Sequence, residues 1–346
     1  MSPFATRLIR WHDRHGRHDL PWQGTRDAYR IWLSEVMLQQ TQVETVIPYY
    51  RRFLARFPSA RALARASLDD VLVIWSGLGY YSRARNLHAA AQTVIESHRG
   101  RFPDTREALQ TLPGVGRTTA AAIAVFAHAA REAILDGNVK RVLARHFAVP
   151  GHAGEPRTEK RLWKIAEAQL PRRNVERYTQ ALMDLGASLC SRARPACESC
   201  PVRASCAAYA KGKVEAYPRP RPRRPRPVRQ TSLLLVLCDG EVLLEKRPPT
   251  GIWGGLWSLP ECDSGEDVHE YCERRWGARP ARLESLPLLR HEFTHFTLDI
   301  TPVICRLKAT QRLASEPGQV FLPPEEAACA AVPAPVKKLL KRFAGG

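Results

Sequence analysis

The chain has 346 residues and a formal net charge of +19 at pH 7, so we expect at least two domains and a polyanionic partner. No apolar run approaches the ~18 residues of a membrane span, which favours nucleic acid over a membrane. Residues 2–18 lack the apolar stretch of a secretory signal. Nine unevenly spread cysteines argue against a secreted disulfide scaffold, so we expect a reducing cytoplasm.

Residues 1 to about 210 have helical hydrophobic periodicity. Apolar residues at three-to-four spacing predict helices over 29–38, 43–54, 68–75, 85–95, 118–130, 139–147, 159–170 and 175–189. Ser67 with Asp70 has the spacing of a helix start signal.

One carboxylate of the 29–38 helix lies on an apolar face. Trp32, Glu35, Val36 and Gln39 share that face, so Glu35 is expected among apolar neighbours and an amide. Burial raises the pKa of a carboxyl group and would keep it protonated as a general acid. A capped or salt-bridged glutamate is the alternative.

Residues 77–81 (Gly-Leu-Gly-Tyr-Tyr) form a compact loop with an apolar side chain and an aromatic ring between glycines. A protein that extrudes a nucleotide can push such residues into the base stack. Core packing of Tyr80 and Tyr81 is the alternative.

Residues 112–119 (Leu-Pro-Gly-Val-Gly-Arg-Thr-Thr) predict a hairpin between two helices. Asp104 and Glu107 have capping-box spacing for the first helix. Gly114 and Gly116 permit positive φ and close approach of another molecule. The amides that begin the 118–130 helix have no intrahelical partner and suit a phosphate oxygen.

Asp136 follows this helix and is itself followed by Gly137. Its alternative role is to cap the helix from Asn138 onward. With Glu35, however, it provides an acid that can stay neutral and a carboxylate that stays charged, the pair that glycosidic-bond cleavage requires.

Four cysteines lie within seventeen residues with the spacing C-x6-C-x2-C-x5-C: Cys190, Cys197, Cys200 and Cys206. Four such thiolates can hold an iron–sulfur cluster or a zinc ion. Structural zinc sites usually present two close pairs, whereas a single close pair occurs here, which favours the cluster. Nearby arginines indicate that the loop presents a basic surface to a DNA backbone.

The composition changes after residue 216. Residues 218–227 alternate proline and arginine, which predicts an extended linker. Beyond it, residues 231–237 and 242–246 flank Asp239-Gly240 as a hairpin, and residues 291–300 alternate with period two as a strand. We therefore expect domains at 1–215 and 230–346, joined by a linker at 216–229.

The helix-hairpin-helix, Asp136 and the cysteine quartet together resemble the helix-hairpin-helix DNA glycosylase superfamily, in its endonuclease III branch. Residues 32–42, 77–84, 134–142 and 248–256 are similar to the adenine DNA glycosylase (MutY) family, and the resemblance covers nearly the whole chain. It implies a multidomain fold: an all-α helix-hairpin-helix glycosylase domain with an iron–sulfur cluster loop, then an α+β Nudix-like domain.

The resemblance also implies an enzyme that binds duplex DNA with adenine opposite 8-oxoguanine or guanine, and removes that adenine. Glu35 would protonate adenine N7, Asp136 would stabilise the sugar cation and Asn138 would support the reacting site. A [4Fe-4S] cluster on the four cysteines, a monomeric state and a bacterial cytoplasm at the nucleoid are implied with it. The implied DNA contacts are Gln40, Thr41, Leu78, Tyr80, Gly114, Gly116 and Thr118, with Phe293, Thr294 and His295 reading 8-oxoguanine.

Thr118 follows Arg117 of the hairpin, where lyase-type relatives carry a lysine that attacks the sugar. Threonine cannot form a Schiff base, so we expect a monofunctional glycosylase without strong lyase activity. Lys140 is near Asp136 in sequence and could trap an abasic aldehyde adventitiously.

The Nudix-like domain departs from the pattern of a hydrolase. Its box would place an acid at Glu261 and the Arg-Glu-x-x-Glu-Glu segment at residues 269–274, which read His-Glu-Tyr-Cys-Glu-Arg. These replacements reduce the acidic cluster that holds Mg²⁺ in a hydrolase. The sequence therefore favours a domain that recognises 8-oxoguanine over one that hydrolyses nucleotides. Thr294 stands where relatives commonly carry serine.

Two alternatives remain open. One is an endonuclease III-like glycosylase/lyase for oxidised pyrimidines, which Thr118 and the Nudix-like region oppose. The other is a catalytically silent iron–sulfur protein that binds DNA.

Overall fold

The computed structural model describes residues 2–221, 225–307 and 317–344. The helices are α1 (Pro3–His15), α2 (Ala28–Met37), α3 (Val43–Arg56), α4 (Ala60–Arg65), α5 (Leu68–Trp75), α6 (Ser82–Ser97), α7 (Arg106–Leu109), α8 (Arg117–His128), α9 (Gly137–His146), α10 (Pro156–Gln169), α11 (Val175–Ala187), α12 (Ala207–Ala210), α13 (Val268–Trp276), α14 (Pro324–Cys329) and α15 (Ala334–Ala344). The strands are β1 (Val228–Cys238), β2 (Glu241–Lys246), β3 (Trp257–Ser258), β4 (Glu261–Asp263), β5 (Arg282–Ser285), β6 (Leu289–Glu292), β7 (Thr297–Arg306) and β8 (Gln319–Leu322).

The chain divides into two compact units. The first comprises Met1–Arg65 with Asn86–Arg223, and the second comprises Ala66–Arg85 with Arg224–Gly346. Residues 222–224 of the predicted linker lie outside the described residues. No helix in the described part of the chain is long and apolar enough to cross a membrane.

The predicted helices are confirmed, with each end within three residues of its expected position. Ser67 caps α5 as predicted, because its hydroxyl accepts a hydrogen bond from the Asp70 amide at 3.1 Å. The expected cap at Asp104 is wrong by one residue. Thr105 caps α7 instead, accepting from the Ala108 amide at 3.3 Å with the same three-residue spacing.

Helix α1 was not predicted from the sequence. Its large apolar residues are few and stand among arginines and histidines, yet they fall on one face and become buried. Phe4, Leu8 and Ile9 pack into a core with side chains of α9 and α11, such as Val139 and Leu182. This packing fixes the N-terminus of α9, where Asp136 lies.

The second unit contains a mixed sheet of strand order β3-β2-β1-β7-β5, in which β1 and β7 run parallel. The predicted hairpin at Asp239-Gly240 is confirmed by pairing of β1 with β2. The single strand predicted over 291–300 is wrong: β6 and β7 form an antiparallel hairpin there. The Phe293 amide donates to the Phe296 carbonyl at 2.9 Å and their rings stack at 4.4 Å, which closes a tight turn.

Candidate active site

A cavity of about 780 Å³ in the first unit contains both carboxylates singled out from the sequence. Glu35 reaches it from α2, and Asp136 and Asn138 reach it from the start of α9. Helix α8 packs against α2 and contributes Thr118 and Thr119 to the wall. Two segments distant in sequence therefore meet at one pocket of the size that binds small ligands, about 300–1,000 Å³.

Glu35 lies on a helix whose neighbouring side chains are buried. Trp32 and Val36 are 1% and 5% exposed, as the helical face predicted. Gln39 lies beyond the end of α2, and its amide donates to the Thr119 hydroxyl at 3.4 Å. Burial, and then the negative charge of Asp136, raise the pKa of Glu35 to about 8. A carboxyl group in this setting carries a proton at neutral pH.

Asp136 is the N-cap of α9, accepting a hydrogen bond from the Val139 amide at 2.7 Å. Burial raises the pKa of Asp136, while the Val139 amide, the Arg141 guanidinium and Asn138 act in the opposite direction. The cap therefore also places a carboxylate with stabilising donors on the cavity wall. Asp136 can therefore cap α9 and face the cavity at the same time.

Asn138 is held from two sides. Its side-chain oxygen accepts from Arg141 at 2.8 Å, and Arg141 also donates to the carbonyls of Gly186 and Cys190. A Cβ at Gly186 would stand 2.6 Å from the Cβ of Asn138, so the glycine permits this approach of α11 to α9. Sequence reasoning missed Gly186 because a helical glycine has no distinctive pattern.

A polar cluster at the cavity wall was also missed by the sequence analysis. Asp184 is 1% exposed and accepts from the Arg17 amide and guanidinium and from Gln180 at 2.6–3.0 Å. Despite its burial, donors on His12 and Arg17 hold the pKa of Asp184 below its ordinary value. His12, Arg17 and Gln180 line the cavity, so Asp184 fixes the polar groups that a ligand would meet.

The hairpin before α8 has one glycine with positive φ. Gly114 has a φ of 74°, and a Cβ there would lie 2.7 Å from the Asn86 side chain. Gly116, the N-cap of α8, has a φ of −81°, so the turn uses the positive φ that glycine permits at Gly114 alone of the two. Apart from its own chain neighbours, no atom of the described residues lies within 4 Å of a Cβ position at Gly116, which leaves the first amides of α8 approachable. Gln40 is exposed and outside the cavity lining, whereas Thr41 is part of it.

The four cysteines of the quartet line a second, smaller cavity together with Arg145 and His146. Arg145 is 3% exposed and donates to the Cys190 sulfur at 3.3 Å and to the carbonyls of Cys190, Ser191 and Arg192. Among the described residues, no group of three or more His, Cys, Asp or Glu side chains is placed to hold a metal ion. Four cysteines that line one cavity beside a buried cation are nevertheless the donor set of an anionic, thiolate-held cluster.

In the second unit, Tyr80 and the 293–296 turn lie together. The Tyr80 hydroxyl is 3.0 Å from the Thr294 hydroxyl. Tyr80 is 45% exposed, with a left-handed φ of 49°, so core packing does not explain it. Leu78 is buried at 6% exposure, and His295 is exposed.

The Nudix positions also lie in this unit. Glu261 of β4 accepts from Arg247 at 2.6 Å and from the Thr231 hydroxyl at 2.9 Å, so its carboxylate already has partners. Glu270 and Glu273 lie on α13 and are exposed.

A family model described as HhH-GPD superfamily base excision DNA repair protein matches residues 33–168, and one described as NUDIX domain matches residues 232–342. The adenine DNA glycosylase of Buchnera aphidicola subsp. Acyrthosiphon pisum is 34% identical over 341 residues, 98% of this chain and 97% of the relative. The chain belongs to the adenine DNA glycosylase family. The human adenine DNA glycosylase is 33% identical over 100% of this chain and 74% of its own length.

A solved structure of a thermostable thymine-DNA glycosylase is 29% identical with a TM-score of 0.54, covering 60% of this chain and 95% of its own. Membership of the adenine DNA glycosylase family confirms the resemblance drawn from the motifs. It also confirms the fold class, a helix-hairpin-helix glycosylase region followed by a Nudix-like domain. As a family member, the chain is a DNA N-glycosylase of base excision repair.

Proposed function

We propose that the protein flips adenine out of duplex DNA where it stands opposite 8-oxoguanine or guanine, and hydrolyses its glycosidic bond. The observation that carries the proposal is the meeting of Glu35 and Asp136 in one cavity, with a proton favoured on Glu35. The names of the relatives support adenine as the base removed. Extrusion costs least at a mispair, which itself favours a mispaired adenine.

In this mechanism Glu35 gives its proton to adenine N7 as the bond between C1′ and N9 breaks and its electron pair moves onto the base. The sugar is left as an oxocarbenium ion, and the carboxylate of Asp136 stabilises that charge. A water molecule then attacks C1′ and transfers a proton to the Glu35 carboxylate. Asn138, held by Arg141, supports the reacting sugar.

We further propose that the reaction stops at the abasic site. Thr118 follows Arg117, and its hydroxyl accepts from the Leu135 amide at 3.4 Å. Among the described residues that line the cavity there is no lysine. Lys140 is outside the lining and pairs with Glu159 at 2.8 Å, so an amine nucleophile is not presented to the sugar.

The cysteine quartet is proposed to hold a [4Fe-4S] cluster, as endonuclease III-like glycosylases generally do. Cys190, Cys197, Cys200 and Cys206 would be the ligands. The cluster would supply a structural anchor for the loop at 190–206 rather than a chemical step, because Glu35 and Asp136 line a different cavity.

We assign the other DNA contacts to two groups of residues. Tyr80 would intercalate near 8-oxoguanine and the 293–295 turn would recognise it, with Gln40, Thr41 and Leu78 on the lesion side. Gly114, Gly116 and Thr118 in the first turn of α8 would bind a phosphate of the DNA backbone. We propose a glycosylase domain at 1–215, a linker at 216–229 and a Nudix-like domain at 230–346. We also propose that the protein is a monomer in a bacterial cytoplasm.

A strand-scission assay tests the proposal. Duplexes carry adenine opposite 8-oxoguanine, adenine opposite guanine, or adenine opposite thymine, and products are scored with and without alkali. Breaks that need alkali at the first two, with none at the third, are expected. Breaks without alkali would show a lyase, and no release of adenine in any duplex would refute the glycosylase mechanism.

A further inference from the structure

His146 is the last residue of α9 and lines the cavity that holds the four cysteines. It is 6% exposed, and its Nδ1 atom is buried with no hydrogen-bond partner among the described residues. Buried polar atoms in folded proteins nearly always have a partner, so this nitrogen calls for one. The proposed function does not use it.

The surroundings of the imidazole explain why the chain itself does not satisfy it. The rings of Phe4 and Phe147 lie 4.4 and 4.8 Å from the His146 ring, centroid to centroid. These apolar rings pack against the imidazole, and the described residues give its Nδ1 no partner. Because His146 lines the same cavity as the four cysteines, a group bound there can supply that partner.

Arg145, the preceding residue, shows how the cysteine loop is otherwise held. Its guanidinium donates to the Cys190 sulfur and to the backbone carbonyls around it, and it is fully engaged in the chain. His146 differs because its Nδ1 has no hydrogen-bond partner among the described residues. Arg145 therefore fixes the loop, whereas His146 keeps a nitrogen that a bound group can use.

We propose that His146 donates a hydrogen bond from Nδ1 to a sulfur of the iron–sulfur cluster and thereby raises the reduction potential of the cluster. The inference rests on the proposed cluster. A donor to sulfur stabilises the more negative, reduced state, and hydrogen bonds to the sulfurs are among the factors that set cluster potentials. His146 is a positioning and tuning residue and not a catalytic one.

The test compares His146→Phe and His146→Asn with the wild-type full chain, purified with its iron. Phenylalanine fills the space without a donor, whereas asparagine keeps an N–H near the Nδ1 position. His88→Phe is the matched control, since His88 is a buried histidine of α6 that does not line the cysteine cavity. Iron and sulfide are assayed first, then the midpoint potential by voltammetry on DNA-free protein.

We expect a more negative potential in His146→Phe, a partial return in His146→Asn and no change in His88→Phe. Equal potentials in all four proteins with full iron content would overturn the hydrogen bond while leaving the cluster intact. Absence of iron from the wild type would overturn both.

Because His146→Phe can fail to fold, the wild type provides a second measurement. With ¹⁵N-labelled histidine, pulsed electron paramagnetic resonance of the reduced cluster should show a coupled histidine nitrogen and an exchangeable proton. A reduced cluster with neither coupling overturns the inference whatever the variants do.

Discussion

The substitution Glu35→Gln tests the central assignment most directly. Glutamine keeps the size and polarity of the side chain but cannot transfer a proton. General acid catalysis contributes about 10²–10⁴-fold, so a rate loss of that size is expected. Glu44→Gln is the matched control, because Glu44 is an exposed carboxylate that also lines the cavity, and it should keep nearly the wild-type rate.

The pH dependence follows from the raised pKa. With a pKa of about 8, Glu35 is roughly nine-tenths protonated at pH 7 and about one-tenth protonated at pH 9. Single-turnover release of adenine should therefore fall about tenfold for each pH unit above 8. The Glu35→Gln variant should lack this alkaline decline in its residual rate.

Stability provides an independent readout of the same carboxyl group. Its pKa is about 8 in the folded chain and near 4.5 when unfolded, so the unfolded state binds fewer protons between these values. The contribution of Glu35 to stability is then fully present below pH 4.5 and is lost as the pH rises through 8, with an upper limit of roughly 5 kcal/mol. Glu35→Gln should remove this decrease and raise the melting temperature at pH 8 but not at pH 4.

Two results would refute the reasoning. One is a Glu35→Gln variant with more than a tenth of the wild-type single-turnover rate. The other is an inactive variant whose melting temperature relative to wild type is the same at pH 4 and pH 8, since the pKa of Glu35 would then be ordinary. Rates and melting temperatures are measured on the same preparations.

Substitutions at three further positions test other parts of the structure. Asp136→Asn keeps a capping side chain but removes the charge, so single-turnover adenine release should fall at least 10²-fold, while NMR titration should show a lower pKa for Glu35; an unchanged pKa would contradict the coupling. Thr118→Lys should yield a DNA adduct that borohydride traps, and strand breaks without alkali. The control Thr118→Ala should give neither. If the lysine variant forms no adduct, position 118 does not face the sugar. Leu8→Ala, at a fully buried position of α1, should destabilise the chain by about 2–5 kcal/mol in urea unfolding; a loss below ~1 kcal/mol would show that α1 is not part of the core.

The sequence predicted the elements with strong local signals. Helices with regular apolar spacing and capped ends, such as α5, were placed correctly because propensity, periodicity and capping agree. Helix α1 was missed because its apolar face is narrow and emerges only on packing against α9 and α11. The turn at 293–296 was missed because Phe293 and Phe296 fit a strand pattern equally well, and their ring stacking decides the turn.

The sequence indicated individual residues of the site but not their arrangement in space. Periodicity placed Glu35 on an apolar face, and the spacing around Asp136 indicated a cap. Their meeting depends on α2 packing against α8, a tertiary contact that no local pattern specifies. The Asp184 cluster escaped notice for the same reason, because its donors come from residues at the opposite end of the first unit's sequence.

Helix α9 explains why these features depend on one another. Its first residues present Asp136 and Asn138 to the cavity, and its last residues, Arg145 and His146, line the cysteine cavity. Arg141 lies midway and donates both to Asn138 and to the Cys190 carbonyl. We therefore expect a change in the cysteine loop to act on the start of α9 through the helix and the shared guanidinium of Arg141. Occupancy of the cysteine cavity should accordingly affect catalysis through the position of Asn138, without any redox step.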